Sequence, residues 1–228
     1  MANGRGILVV AQGSRYDGDW VNDVQEGYGE EFFTDGTTFQ GSYQNGHKHG
    51  QGKFTWSDGS YYQGDFFNSS ISGKGTLRWK DGREYTGDWL NNKMHGKGSF
   101  VWPDGKRYVG DYHNDKKEGF GSYYWSSDKY YEGEWLNSKQ HGEGKFVLKG
   151  KALRGQFRFG KLIKRFEDEN KENLSSNFDN FSKFQTSSVE MVKETTLAND
   201  GAINFQDQER NHHLEKMEVG DTRAPIMT

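Results

Sequence analysis

The 228-residue chain has no cysteine, which excludes disulfides and thiolate metal sites. Aliphatic residues are scarce as well. Hydrophobic residues make up only 31% of the chain while aromatics alone reach 15%, so a thick aliphatic core is not expected. Long apolar runs are missing too. The Ile7-Leu8-Val9-Val10 stretch is too short for a signal peptide or a membrane span, and a soluble intracellular protein is the expectation. Acidic residues are absent from 149–165, where Lys149, Lys151, Arg154, Arg158, Lys161, Lys164 and Arg165 form a basic cap. Residues 166–228 are the reverse, with 6 Lys or Arg against 13 Asp or Glu. Outside the cap, residues 1–165 are slightly acidic, which argues against a basic, aromatic platform for single-stranded nucleic acid.

What is present is a 23-residue beat. Tyr16, Phe39, Tyr62, Tyr85, Tyr108 and Tyr131 each open the phrase aromatic-x-Gly-x-aromatic-x-Asn, and a Gly-x-Gly answers eleven residues later, from Gly27/Gly29 to Gly142/Gly144. A fixed period of this length marks a repeat array, and arrays present surfaces rather than enclose active sites. Alternate residues of a strand share a face. Each unit therefore reads as two short strands that put glycines and rings on the same side, with a ring from a neighbouring strand lying over bare glycine backbone. Asn22, Asn45, Asn68, Asn91, Asn114 and Asn137 fall at the hairpin turns, where Asn tolerates left-handed angles. Asp35-Gly36, Asp58-Gly59, Asp81-Gly82 and Asp104-Gly105 supply the turns between units.

The expected fold is all-β: an elongated, twisted antiparallel sheet of stacked hairpins over residues 1–165. Six full repeats span 16–152, with a half-unit at each end. About fourteen strands would extend on the order of 60 Å. Residues 166–228 read as an acidic tail of low-complexity composition, with two short helices possible at 188–197 and 208–219. Phe178, Phe181 and Phe184 are spaced as docking anchors. Three departures from the pattern stand out: Glu31 at a ring position, Ser69–Ser72 in the third hairpin link, and Ser126–Lys129 in place of an Asp-Gly turn. These are expected to be mobile or specialised for a contact.

Tyr131-Glu-Gly133-Glu-Trp135-Leu-Asn137, closed by His141-Gly142-Glu-Gly144 and repeated at 23-residue spacing, resembles the MORN repeat (membrane occupation and recognition nexus). The resemblance covers residues 4–160. It implies a twisted sheet with an aromatic-lined groove. Members of the family include ciliary radial-spoke head and other axonemal proteins, cytoskeletal scaffolds, junctional membrane-linking proteins, and regulatory segments of lipid kinases and a lysine methyltransferase. About 60 residues follow the array here, too few for a catalytic domain of that kind.

Chemistry is not evident in the motifs. His49, His95 and His141 recur in alternate repeats, roughly 20 Å apart along the stack, so they cannot share a metal ion and read as polar turn residues. No Gly-Lys is followed by Ser or Thr as a phosphate loop requires. The acid row Asp19, Asp65, Asp88, Asp111 and Glu134 reads as a solvated face that keeps the sheet soluble. The expectation is therefore a non-enzymatic scaffold without cofactor or metal, in a ciliary axoneme or other cytoskeletal complex. It would meet partner proteins through Tyr62, Trp79, Trp89, Trp102, Tyr108, Trp125 and Trp135. Two alternatives stay open: a peripheral adaptor binding anionic phospholipid, or an acidic protein tail, through the basic cap, and a regulatory arm for an enzyme on another chain.

Overall fold

A computed structural model describes residues 1–166; the tail, with its two helical segments and Phe178, Phe181 and Phe184, lies outside the described residues. All regular structure among the described residues is antiparallel β-strand, arranged in chain order. The residues divide into two compact units, which meet in sequence between Met94 and His95. The first contains β1 (Gly4–Val9), β2 (Arg15–Val21), β3 (Val24–Phe32), β4 (Thr38–Gln44), β5 (His47–Thr55), β6 (Tyr61–Phe67), β7 (Ser70–Arg78) and β8 (Glu84–Leu90). The second contains β9 (Lys93–Val101), which enters it at His95, then β10 (Arg107–His113), β11 (Lys116–Ser126), β12 (Lys129–Leu136), β13 (Lys139–Leu148), β14 (Lys151–Arg158) and β15 (Lys161–Arg165).

The register follows the glycine beat. Gly18 pairs with Gly29, Gly41 with Gly52, Gly64 with Gly75, Gly110 with Gly121 and Gly133 with Gly144. Immediately after each of these pairs the register shifts, and the residue at the shift is Asp19, Ser42, Asp65, Asp111 or Glu134. The acid row is thus more than a solvated face. A bulge leaves backbone N–H groups without a ladder partner, and the carboxylates accept from them. Asp19 takes Tyr28 N at 3.1 Å, Asp65 takes Lys74 N at 2.7 Å, Asp111 takes Phe120 N at 3.0 Å and Glu134 takes Glu143 N at 3.1 Å.

Two kinds of turn alternate. The hairpin turns have positive φ at both central residues, as at Asn22 (50°) and Asp23 (66°), or Asn137 (49°) and Ser138 (62°). This is the two-residue geometry that matches strand twist, and Asn suits its first position. The Asp-Gly links are longer. At the first of them Gly36 N donates to Phe33 O (3.1 Å), Phe33 N donates to Thr37 O (2.9 Å), and Asp35 accepts from Thr37 N (2.9 Å). Only the glycine there needs a left-handed backbone, with φ 88°.

Hairpin turns also reach back to the preceding hairpin. Ser69 N donates to Lys48 O (2.8 Å), Asn92 N to Ile71 O (2.9 Å) and Ser138 N to Lys117 O (2.9 Å). In the same three places the turn's own side chain accepts the N–H of that earlier residue. The Ser69–Ser72 link is therefore structural: Ser72 Oγ also accepts Asn91 N (3.0 Å), and Ile71 is completely buried. The Ser126–Lys129 link is a shorter connection, closed by Ser126 Oγ donating to Asp128 at 2.6 Å.

The C-terminal half-unit is longer than the sequence suggested. β15 pairs with β14 and completes a seventh hairpin, with Phe159 (φ 49°) and Gly160 (φ 86°) at its turn. Phe159 stands where the other six hairpins have Asn, and sequence reasoning missed it because the final unit runs one residue early.

Candidate partner surface

The aromatic face is built from one repeated contact. In the five units that open on tyrosine the phenol lies along its own strand, and its Oη donates to the backbone carbonyl three residues on; Phe39 opens the remaining unit without a hydroxyl. Tyr16 reaches Asp19 O at 3.1 Å, Tyr62 reaches Asp65 O at 3.0 Å, Tyr85 reaches Asp88 O at 2.9 Å, Tyr108 reaches Asp111 O at 3.1 Å and Tyr131 reaches Glu134 O at 3.1 Å. In doing so the ring crosses the glycine pair. A Cβ at Gly29 would lie 2.5 Å from Tyr16 Oη, and one at Gly121 would lie 2.5 Å from Tyr108 Cζ. The slots therefore receive a ring from the same strand at the first glycine and from the neighbouring strand at the second.

Five of the opening rings are seen capped edge-on by the second aromatic of the next unit. Tyr16 meets Tyr43 at 5.1 Å, Phe39 meets Phe66 at 5.1 Å, Tyr62 meets Trp89 at 5.5 Å, Tyr108 meets Trp135 at 5.3 Å and Tyr131 meets Phe157 at 5.0 Å, all T-shaped. Such edge-to-face pairs contribute about 0.5–1.5 kcal/mol each beyond the area they bury. The tryptophans anchor their indole N–H on strand carbonyls, Trp89 on Gly75 O (3.2 Å) and Trp135 on Gly121 O (2.9 Å). The face is a self-packed layer of rings.

This packing redistributes the expected contact residues. Tyr62 and Tyr108 have no exposed surface, and Trp79, Trp89 and Trp135 are buried. Tyr62, Trp89, Tyr108 and Trp135 pack against neighbouring rings and Trp79 lies under Arg83, so these five offer a partner little surface. Trp102 and Trp125 remain half-buried. They flank Tyr123, with ring centroids 5.4 Å and 4.7 Å away, and the row continues from Trp125 to Phe146 at 5.9 Å.

Two lysines stand within the rings, a feature the sequence pattern did not reveal. Lys117 Nζ lies 5.0 Å from the Trp102 centroid, 5.3 Å from Tyr123, 5.4 Å from Tyr108 and 5.8 Å from Trp135. Lys48, one of whose neighbours is Phe39 at 5.2 Å, also pairs with Glu31 at 2.8 Å. Glu31 in turn accepts from Tyr43 Oη at 3.1 Å. Its departure from the ring pattern is therefore a half-buried ion pair rather than a mobile spot. The signal available in the sequence was that Glu31 and Lys48 are the charged occupants of positions held by apolar residues in the fourth unit, at Phe100 and Met94.

The histidines lie on strands rather than in turns. His49 packs against Phe67 at 5.2 Å, His95 against His113 at 5.1 Å and His141 against Phe159 at 5.1 Å. In all three the Nδ1 is buried without a hydrogen-bond partner. No group of three or more His, Cys, Asp or Glu able to hold a metal occurs among the described residues. The basic cap is largely open: Lys149, Lys151, Arg158, Lys161, Lys164 and Arg165 are exposed and Arg154 is half-buried. Leu148, Phe159, Leu162 and Ile163 are exposed beside them.

Burial has an electrostatic consequence. It pushes the Tyr16 phenol up to about 12, with the Asp19 and Glu31 carboxylates adding to the rise. Burial, and then the nearby acid, likewise holds Tyr62 and Tyr131 well above the ordinary range. A free tyrosine ionises near pH 10. The folded state thus favours the neutral phenols; their contribution is fully present below pH 10, and that of Tyr16 is lost as pH climbs through about 12, with Tyr62 and Tyr131 following at still higher pH. Alkaline titration followed by phenolate absorbance and circular dichroism should show these tyrosines ionising only as the sheet unfolds. Ionisation of all tyrosines near pH 10 with the sheet intact would contradict the packing.

The comparisons with known proteins agree with the repeat. The family model for the MORN repeat matches residues 16–38, 39–61, 62–82, 85–107, 108–129 and 131–149, more than half of the chain. No curated protein matches the sequence. Among solved structures, the TCP10 domain of Danio rerio CPAP is similar at 13% identity in two forms. In complex with a peptide of Danio rerio STIL it covers 73% of this chain and 96% of its own, at a TM-score of 0.22. Alone it covers 71% and 99%, at 0.24. Likeness at that level carries no argument, whereas the six consecutive matches do: the chain belongs to the MORN-repeat family.

Proposed function

We propose that the chain is a non-catalytic scaffold that holds other proteins in a ciliary or cytoskeletal assembly, and that it meets one of them at the Trp102–Trp125 row. The observation that carries this reading is the contrast in burial. Trp56 and Trp79, at the equivalent place in earlier units, are buried, yet these two tryptophans stay half-buried side by side with Tyr123 between them. Tryptophan and tyrosine are enriched at binding hot spots, and the ammonium groups of Lys117 and Lys129 lie 5.0 Å and 5.3 Å from Trp102 and Trp125. The ciliary or cytoskeletal address is supported by the family alone.

The test is a pair of variants, Trp102→Ala and Trp125→Ala, compared with wild type in pull-down with quantitative mass spectrometry. Each should lower recovery of the same set of partners at least roughly tenfold, a loss of about 1.4 kcal/mol or more, while circular dichroism reports a folded sheet. Undiminished recovery of every partner by both folded variants would rule out this face.

A further inference from the structure

The ring-capping rule leaves the C-terminal hairpin incomplete among the described residues. Tyr131 is capped by Phe157 of the next unit. Leu153, half-buried, occupies the corresponding opening position of that unit and pairs with Phe146 across β13 and β14. Leu162 pairs with Phe157 on the aromatic face, packs over Gly155 and is still 41% exposed. On the opposite face Lys161 pairs with Arg158 and Lys164 with Gln156. Among the described residues β15 pairs with β14 alone. Among the described residues its outer edge offers backbone groups without a strand partner, with Lys161 and Lys164 towards one face and the Leu162 notch, beside Arg165, towards the other.

We propose that β15 is the docking edge for an extended acidic segment of a partner protein, which adds as a further antiparallel strand. The segment would place acidic side chains on the Lys161–Lys164 side and an apolar or aromatic side chain over Leu153 and Leu162. Strand addition fits both halves of the edge at once, because a strand's side chains alternate between faces. The charge complementarity is one-sided: seven basic residues and no acid occupy 149–165. Lys161 and Lys164 lie on the face opposite the Leu162 notch, with Arg165 on the notch's own face through its pairing with Gly155, so a bilayer pressed on either face would meet only part of the edge's charge. The chemistry thus favours an acidic strand over anionic lipid. Lysine on an edge also discourages pairing with a second copy of the same edge, so the edge selects an acidic partner and rejects itself. This inference rests on the scaffold reading but uses a different surface from Trp102 and Trp125.

The experiment uses the full chain and a fluorescent peptide alternating glutamate with valine and phenylalanine, titrated by anisotropy. Two control probes accompany it, one of the same composition in scrambled order and one N-methylated at alternate amides. Binding of the alternating peptide is expected, weakened about tenfold by Lys161→Glu/Lys164→Glu and by moderate salt and abolished by N-methylation on the edge-facing amides. Retention of the fold in the double variant is read by circular dichroism, and Leu162→Asn gives an independent variant that keeps the charge. Equal binding of the scrambled peptide would reduce the site to bulk electrostatics and overturn the proposal. So would binding to vesicles of phosphatidylserine and phosphatidylcholine with none to the peptide, or protection of the edge by residues 167–228 of the same chain. Because Trp102→Ala and Trp125→Ala leave β15 untouched, a failure here is separable from a failure of the aromatic row.

Discussion

Gly121→Ala is expected to destabilise the protein by about 3 kcal/mol, at the upper end of what overpacking costs. The added methyl has nowhere to go. It would lie 2.5 Å from Tyr108 Cζ and 2.7 Å from Tyr108 Cε2, and the Tyr108 ring is held from the other side by Trp135 and by its own bond to Asp111 O. Either the phenol swings out, losing that bond and the edge-to-face contact, or β11 moves away from β10. Both outcomes propagate, since Trp135 also donates to Gly121 O. In chemical denaturation the midpoint should fall with little change in slope, and the melting temperature by roughly 10 °C. Shortening the ring in the same background, Tyr108→Leu with Gly121→Ala, should recover part of the loss, because the two changes act on one contact. Additive losses in the double variant would show that the glycine is not a slot for this ring.

The second large effect concerns Glu31 and Lys48. Removing either partner leaves a charge in a half-buried setting, with Lys48 only 12% exposed and Glu31 21%. Lys48→Met strands the carboxylate, and Glu31→Ala strands the ammonium among three rings. Each single change should cost about 2 kcal/mol, discounted from the loss seen for fully buried pairs. The combination Glu31→Phe/Lys48→Met restores the residue types found at Phe100 and Met94 and should return to wild-type stability or exceed it, as apolar replacement of buried ion pairs often does. Equilibrium unfolding of the four proteins decides the matter. If the double variant is as unstable as the singles combined, the two residues are not coupled.

These residues also mark how far the fold can be read before it is seen. The strands, the Asn turns and the glycine pairs follow from local chemistry that repeats in every unit, so the 23-residue beat reveals them. The Glu31–Lys48 pair does not, because the partners sit on β3 and β5, either side of β4, and meet only when the register sets them against Phe39 and Tyr43. Nor does the burial of Tyr62, Trp89 and Trp135. An aromatic on a strand looks equally available whether or not the next unit caps it, and capping is a property of the stack. The acid row misleads for a related reason. A carboxylate opposite a bulge and a carboxylate in water have the same sequence signature until the register shift shows an amide in need of an acceptor.

The capping contact runs one way along the chain. Tyr16 is covered by Tyr43, Phe39 by Phe66 and Tyr131 by Phe157, always the earlier ring by the later unit, and the turn-to-strand bonds also run from the later hairpin to the earlier one. The sheet consequently has a polarity, like a row of roof tiles. A strand added beside β15 would stand in the later, covering position, whereas one added beside β1 would stand in the earlier, covered position. Under the proposed strand addition the two edges are therefore not equivalent templates.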